Sequence, residues 1–238
     1  MTQLQNETYT VDVVICIDGT GSMAGIIDKV KEQAKAFPDL YIDAMAKVKR
    51  NPGTFRVKVI VFRDYAVDGK IAMVESPDFY NLNDPEEQMA FEEFVNDIEP
   101  QGGGDAEENA LEAIVLALRS RWTTTGGKNR RHAILLFTDA PALPLRESSR
   151  VSVDIYPKGV PANLAELHKM YMYGDQEYAP YYSPSRGRLI IFAPASADST
   201  WGAIRSWPER TWVVPTNENG GCEEVDLEDA LAVLAGSF

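Results

Sequence analysis

The sequence predicts an α/β fold: a doubly wound, mostly parallel central sheet of about six strands, with one antiparallel edge strand and helices on both faces. Three observations point there. Short apolar runs such as "VDVVICI" (11–17), "FRVKVIVF" (55–62) and "HAILLFTDA" (132–140) alternate with stretches whose apolar residues recur at helical spacing. The runs are rich in β-branched residues and almost continuously hydrophobic, as strands covered on both faces must be. No repeat or linker divides the 238 residues, so 1–238 is expected to be a single domain.

Each element follows in order. The run at 11–17 leads through "DGTGSMAG" into a helix expected over 25–46, with Ile26, Ile27, Val30, Ala34 and Phe37 at helical spacing. "NPG" at 51–53 breaks the chain before the second strand at 55–62. "DYAVDGK" reads as a turn, and "IAMVES" returns too soon for a parallel crossover, which makes it the antiparallel edge strand. "NDP" (83–85) starts a helix that turns Met89, Phe91, Phe94, Val95 and Ile98 inward, with Pro85 in its first turn. "PQGGGD" interrupts, and a helix over 106–120 carries Leu111, Ile114, Val115 and Leu118. "HAILLFTDA" is the strongest central strand, "RLIIFAPA" and "RTWVVPT" are two more, and a last helix over 227–234 packs back on the sheet. Residues 141–187 form one long decorated connection, with a helix at "ANLAELHKMY" and tyrosines at 171, 173, 178, 181 and 182. Those tyrosines read equally as a recognition surface and as packing for the loop.

The formal charge of −13 argues against nucleic acid and anionic membranes as partners, since both reward clustered Lys and Arg. Of the two cysteines, Cys16 falls inside an apolar strand and reads as a small buried hydrophobe rather than a disulfide partner of Cys222. The polar start "MTQLQNETYT" lacks a secretory pattern, and no apolar run approaches the ~20 residues of a membrane helix, so the expected compartment is the cytoplasm.

"CIDGTGSMAG" (16–25) admits three chemistries, because each uses a strand that ends in a small-residue loop opening a helix. Gly19-x-Gly21-x-x-Ala24 has dinucleotide-binding spacing, but Asp18 would repel the pyrophosphate, and the second strand, whose end should carry the acidic ribose ligand ~20 residues on, ends near Arg63, much too late. A phosphate-cradling loop needs Gly-Lys-Ser/Thr, and no lysine is present. The loop resembles the D-x-D-G-T nucleophile loop of haloacid-dehalogenase-type phosphatases, yet the nucleophile position is Cys16. As a metal site, Asp18-x-Thr20-x-Ser22 offers one carboxylate and two hydroxyls, a hard oxygen set suited to Mg²⁺. Asp139 follows the central strand and Asp105 follows the triple glycine, so both can join Asp18 beyond the carboxyl ends of the strands.

In order and spacing, "DGTGSM", "FRDY", "GGGDAEEN" and "FTDAP" resemble the von Willebrand factor A family, specifically the intracellular branch with "TGSM", "GGGD" and "DAP" motifs. The resemblance covers roughly residues 9–236 and implies the family's Rossmann-like fold and a metal-ion-dependent adhesion site, or MIDAS. By that resemblance Thr20 and Ser22 ligate the metal directly, Asp18 and Asp139 directly or through water, and Asp105 takes the slot of the family's usual threonine. The cofactor expected is Mg²⁺, with Mn²⁺ or Ca²⁺ as substitutes. The implied function is protein–protein interaction rather than catalysis, with a partner that donates a carboxylate to the metal. Similar domains serve as adaptors for AAA-type ATPases or kinase-containing complexes. Asp105 departs from the adhesion-receptor pattern: three carboxylates around a divalent cation hold it firmly but attract an incoming carboxylate less.

Plainer readings stand beside these. Asp105 and Glu108 have the spacing of a helix capping box, and Thr20 and Ser22 can serve as helix caps. Arg63 and Asp64 read as a structural ion pair or turn, and His132 and His168 as incidental. The rival function is a metal-dependent phosphoryl-transfer or hydrolytic enzyme using the same aspartates, which lacks a nucleophile and a general base.

Overall fold

The computed structural model describes residues 8–103, 107–145, 154–194, 199–207, 210–216 and 227–237. Its spine is β1 (Thr8–Asp18), which pairs in parallel with β2 (Asn51–Phe62) on one side and β5 (Arg130–Phe137) on the other. β6 (Gly187–Pro194) and β7 (Thr211–Thr216) continue the parallel run beyond β5. β3 (Met73–Glu75) and β4 (Tyr80–Asn81) both lie antiparallel against β2. The sheet order is β3-β2-β1-β5-β6-β7, with β4 beside β2, so the expected mostly parallel sheet and its antiparallel edge are present. β4 is a strand that the sequence did not announce; two residues leave no periodic trace.

Side chains alternate across the strands, and this explains why β1 is apolar without a break from Val13 to Ile17. Val13, Ile15 and Ile17 enter one core with α1 (Ala24–Ala34), α2 (Phe37–Lys47), α4 (Pro85–Asn96) and α8 (Leu227–Gly236). Val14 and Cys16 enter the opposite core with α5 (Ala110–Leu118), α6 (Leu164–Tyr173) and α7 (Ser199–Arg205). Cys16 is fully buried there, as a small hydrophobe should be. Burial of such side chains is worth roughly 1.5–3 kcal/mol each.

Several expectations need correction. The helix expected over 25–46 is two helices, interrupted after Ala34. Pro38 lacks an amide N–H, and its ring would strike the Ala34 carbonyl in a continuous helix; as the second residue of α2, in the first turn, it fits. "NPG" does not break the chain before β2 but opens it, at an irregularity in the β1 register between Tyr9 and Val11. "DYAVDGK" is not a bare turn: Asp64 Oδ1 accepts from Ala66 N at 2.7 Å and caps the short helix α3 (Tyr65–Asp68). Met89 is 61% exposed rather than inward, because it stands about 200° around α4 from Phe91. α5 begins at Ala110 rather than near 106, since Glu108 is drawn into an isolated bridge with Ala142. Glu108 is thus not in a helix, and Asp105, the other half of the expected capping box, lies outside the described residues. α7 was not expected; its Trp201 is buried and donates to the Ala140 carbonyl at 3.2 Å. Within 141–187, Tyr171 and Tyr182 pack in the core, while Tyr173 is 79% exposed.

Candidate functional site

Asp18 ends β1, and Thr138 and Asp139 follow β5, the neighbouring strand. Ile17 pairs with Phe137, so the next residues, Asp18 and Thr138, stand level at the carboxyl edge of the sheet. Thr138 Oγ1 donates to Asp18 Oδ2 at 2.8 Å. Asp18 Oδ1 accepts from the Thr20 amide at 3.0 Å and the Thr20 hydroxyl at 2.7 Å. Thr20 Oγ1 in turn lies 3.2 Å from Ser22 Oγ. Neither hydroxyl caps the following helical turn or α1, so the capping reading of Thr20 and Ser22 gives way to a chain of oxygens that begins at Asp18.

Gly19 makes this loop possible. A Cβ there would meet Val61 Cγ1 at 2.5 Å and Arg63 Cζ at 2.6 Å, which no side chain tolerates. Arg63 is only 2% exposed and bonds backbone carbonyls instead of forming an ion pair with Asp64. Its Nε donates to Gly19 at 3.0 Å and Gln101 at 2.7 Å; its terminal nitrogens donate to Ile71 at 2.9 Å and Glu99 at 3.0 Å. One guanidinium thus ties the loops after β1, β2 and α4. Burial lowers its pKa, and the charges of Asp68, Asp18 and Glu108 oppose that shift.

Over these loops opens a cleft of about 450 Å³, lined by Thr20, Ser22, Asp139, Glu108 and the backbone of Gly102 and Gly103. Gly103 has φ of +80°, and a Cβ there would stand 3.0 Å from Thr20 Cγ2, so this loop approaches the site as backbone alone. Burial pushes the Asp18 carboxyl up to about 6; the hydrogen bonds from Thr20 and Thr138 counter it, and the Asp139 charge adds to it.

Four of the five expected site residues, Asp18, Thr20, Ser22 and Asp139, are therefore gathered at one edge of the sheet; Asp105 lies outside the described residues. Thr138 and Glu108 were missed. The hydroxyl directly before Asp139 was a readable signal for Thr138, whereas Glu108 reaches the cleft only through its bridge to Ala142. His132, read as incidental, is stacked on Trp122 and bonded to the Thr123 carbonyl at 3.0 Å.

The donor set suits a hard divalent cation: every polar side chain around the cleft ends in oxygen, and Asp18 is an ionisable carboxyl in a desolvated position. Among the described residues no three Asp, Glu, His or Cys side chains cluster as a metal cage. The candidate set differs from such a cage because half of its side chains are hydroxyls.

A family model for the von Willebrand factor A domain matches residues 12–159. The chain belongs to the von Willebrand factor A family. This von Willebrand factor A domain is also similar in structure to the pilus adhesin SpaC from Lactobacillus rhamnosus GG, at 13% identity and a TM-score of 0.50, over 96% of this chain and 30% of that one. A von Willebrand factor type A protein from Catenulispora acidiphila matches at 14% identity and a TM-score of 0.46, over 96% of this chain and 41% of that one. At such identities the likeness to SpaC is one of fold. The chain thus spans well under half the length of either structural relative. No curated protein sequence matches it. Among the described residues no helix is long and apolar enough to cross a membrane.

Proposed function

We propose that this von Willebrand factor A domain is a non-catalytic, divalent-cation-dependent protein-interaction module. The observation that carries the reading is the run of oxygens from Asp18 through Thr20 to Ser22, with Asp139 across the same cleft. Thr20, Ser22, Asp18 and Asp139 would hold Mg²⁺, with Mn²⁺ or Ca²⁺ as substitutes, and Asp105 would complete the set. The ion would supply two positive charges and a coordination position for an oxygen donor from a partner protein. The chain's own contribution is preorganisation: the strand ends fix the two aspartates, Thr138 orients Asp18, and Arg63 locks the loop beneath. The likeness to SpaC, a pilus adhesin, is in keeping with a binding role; AAA-type ATPase or kinase-containing complexes working in the cytoplasm are the partners proposed for this branch.

Isothermal titration with Mg²⁺ and Mn²⁺ on the wild type and Asp18→Ala tests the proposal. Binding heat in the wild type and none in the variant is expected. Equal heats in the two proteins would end the metal reading.

A further inference from the structure

We infer that the opposite end of the sheet is a second docking surface, where converging arginines grip an acidic segment of a partner protein. Arg130 and Arg131 open β5, Arg186 and Arg188 flank the start of β6, Arg210 directly precedes β7, and Arg50 directly precedes β2. These strands are parallel, so all six arginines sit at amino ends while Asp18 and Asp139 sit at carboxyl ends. Arg131 is paired with Val11, seven residues before Asp18, and at ~3.3 Å per residue the two ends lie about 23 Å apart. The two surfaces can be occupied at once.

Backbone carbonyls hold the guanidinium groups. Arg188 donates to Ser237 at 3.0 Å and Gly187 at 2.8 Å, Arg130 to Thr124 and Thr125, Arg186 to Lys128, and Arg210 to Pro184. A carbonyl orients a guanidinium without cancelling its charge. None of the four ion pairs among the described residues involves Arg130, Arg186, Arg188 or Arg210. The charges also crowd one another: Arg188 feels Arg131 and Arg210, and Arg131 feels Arg186 and Arg50. All six are partly exposed. In a chain of net charge −13, like charges gathered at one end make a local positive field to which an acidic segment is complementary.

The dimensions select the partner. From the start of β2 to the start of β7 the sheet crosses β1, β5 and β6. Four strand spacings of ~4.8 Å make about 19 Å, the reach of roughly six extended residues. That is too wide for a single phosphate and matches a short peptide with several carboxylates. Duplex nucleic acid or an anionic bilayer would extend past this end onto the acidic remainder of the chain and be repelled, while a short segment senses only the local field within a Debye length of about 8 Å.

The test is fluorescence anisotropy with a fluorescein-labelled octapeptide of alternating Glu and Ser, at 50 and 200 mM NaCl. The expected results are binding by the wild type that weakens with salt, a loss of tenfold or more in Arg186→Gln/Arg188→Gln, and no change in Asp18→Ala or with EDTA. The last arm separates this surface from the metal cleft. Should the double variant lose its circular-dichroism signature, Arg130→Gln (expected loss about threefold) and Arg188→Lys (binding retained) carry the test. Absence of binding by the wild type, or binding by folded arginine-to-glutamine variants equal to that of the wild type, would overturn the inference. Tighter arginine-dependent binding of dT12 or phosphatidylserine vesicles than of the peptide would overturn it in favour of a polyanion.

Discussion

Replacement of Asp18 by asparagine should stabilise the metal-free protein while removing its response to Mg²⁺. In the folded chain the Asp18 carboxyl is raised from 3.8 to about 6, chiefly by burial. Because the folded value lies above the unfolded one, ionisation opposes folding: the cost is absent below pH 3.8, grows through the interval and is complete above about 6. A displacement of that size is worth about 3 kcal/mol at pH 7. Asparagine has the same shape, keeps an oxygen for the Thr20 amide and hydroxyl, and can donate to Thr138 in place of accepting from it. A net gain of about 1–3 kcal/mol follows, or roughly 2–10 °C in Tm for a domain of this length. The wild type regains stability differently, by RT ln(1 + [Mg²⁺]/Kd), about 2.7 kcal/mol at a hundredfold excess over Kd. Differential scanning calorimetry in EDTA and in MgCl₂ reads both effects. Asp18→Asn should melt higher than the wild type in EDTA and show no shift with Mg²⁺. A variant that melts lower in EDTA, or that gains as much from Mg²⁺ as the wild type does, refutes the account of Asp18 as a desolvated ligand.

Three further outcomes are expected. His132 is held down to about 4 by burial, so the unfolded chain binds more protons between about 4 and 6.5; its contribution is full above pH 6.5 and roughly 3 kcal/mol is lost as pH falls to 4. Asp18 has the opposite slope in that window, so urea denaturation of Asp18→Asn should show a steeper acid loss than the wild type, and His132→Asn in that background should flatten it. Arg63→Met should cost about 3 kcal/mol or more in urea denaturation, by leaving buried carbonyls of three loops unsatisfied, and should weaken Mg²⁺ binding in calorimetry. Asp12, buried in β1, accepts from Arg56 at 2.8 and 2.7 Å and from the Thr123 amide at 2.6 Å; Asp12→Ala should cost about 3–5 kcal/mol without altering the Mg²⁺ heat per folded molecule.

What was legible in the sequence follows the physics of each signal. Buried parallel strands need long apolar runs, so β1, β2, β5 and β6 could be read directly, the half-exposed β7 from its shorter "RTWVVPT", and the short return after β2 forced an antiparallel edge. Asp18, Thr20 and Ser22 share one loop and Asp139 ends the adjacent strand, so chain order sufficed to bring them together. Glu108 was not readable as a cleft residue, because its position depends on a bridge to Ala142 that no local pattern encodes. Arg63 looked like half of an ion pair; only the fold reveals that four carbonyls converge on it. The helix boundary at Ala34 was missed because apolar periodicity runs through Pro38, while the clash that ends the helix is a property of the backbone.

Because a single guanidinium clasps carbonyls from Gly19, Ile71, Glu99 and Gln101, segments distant in the chain are fastened to one another. The freedom of Thr20, next to Gly19 and buried, is therefore surrendered when the chain folds, not when an ion arrives. Capture at that cleft begins from an already quiet surface, and most of the attraction can appear as residence time rather than being spent on ordering loops.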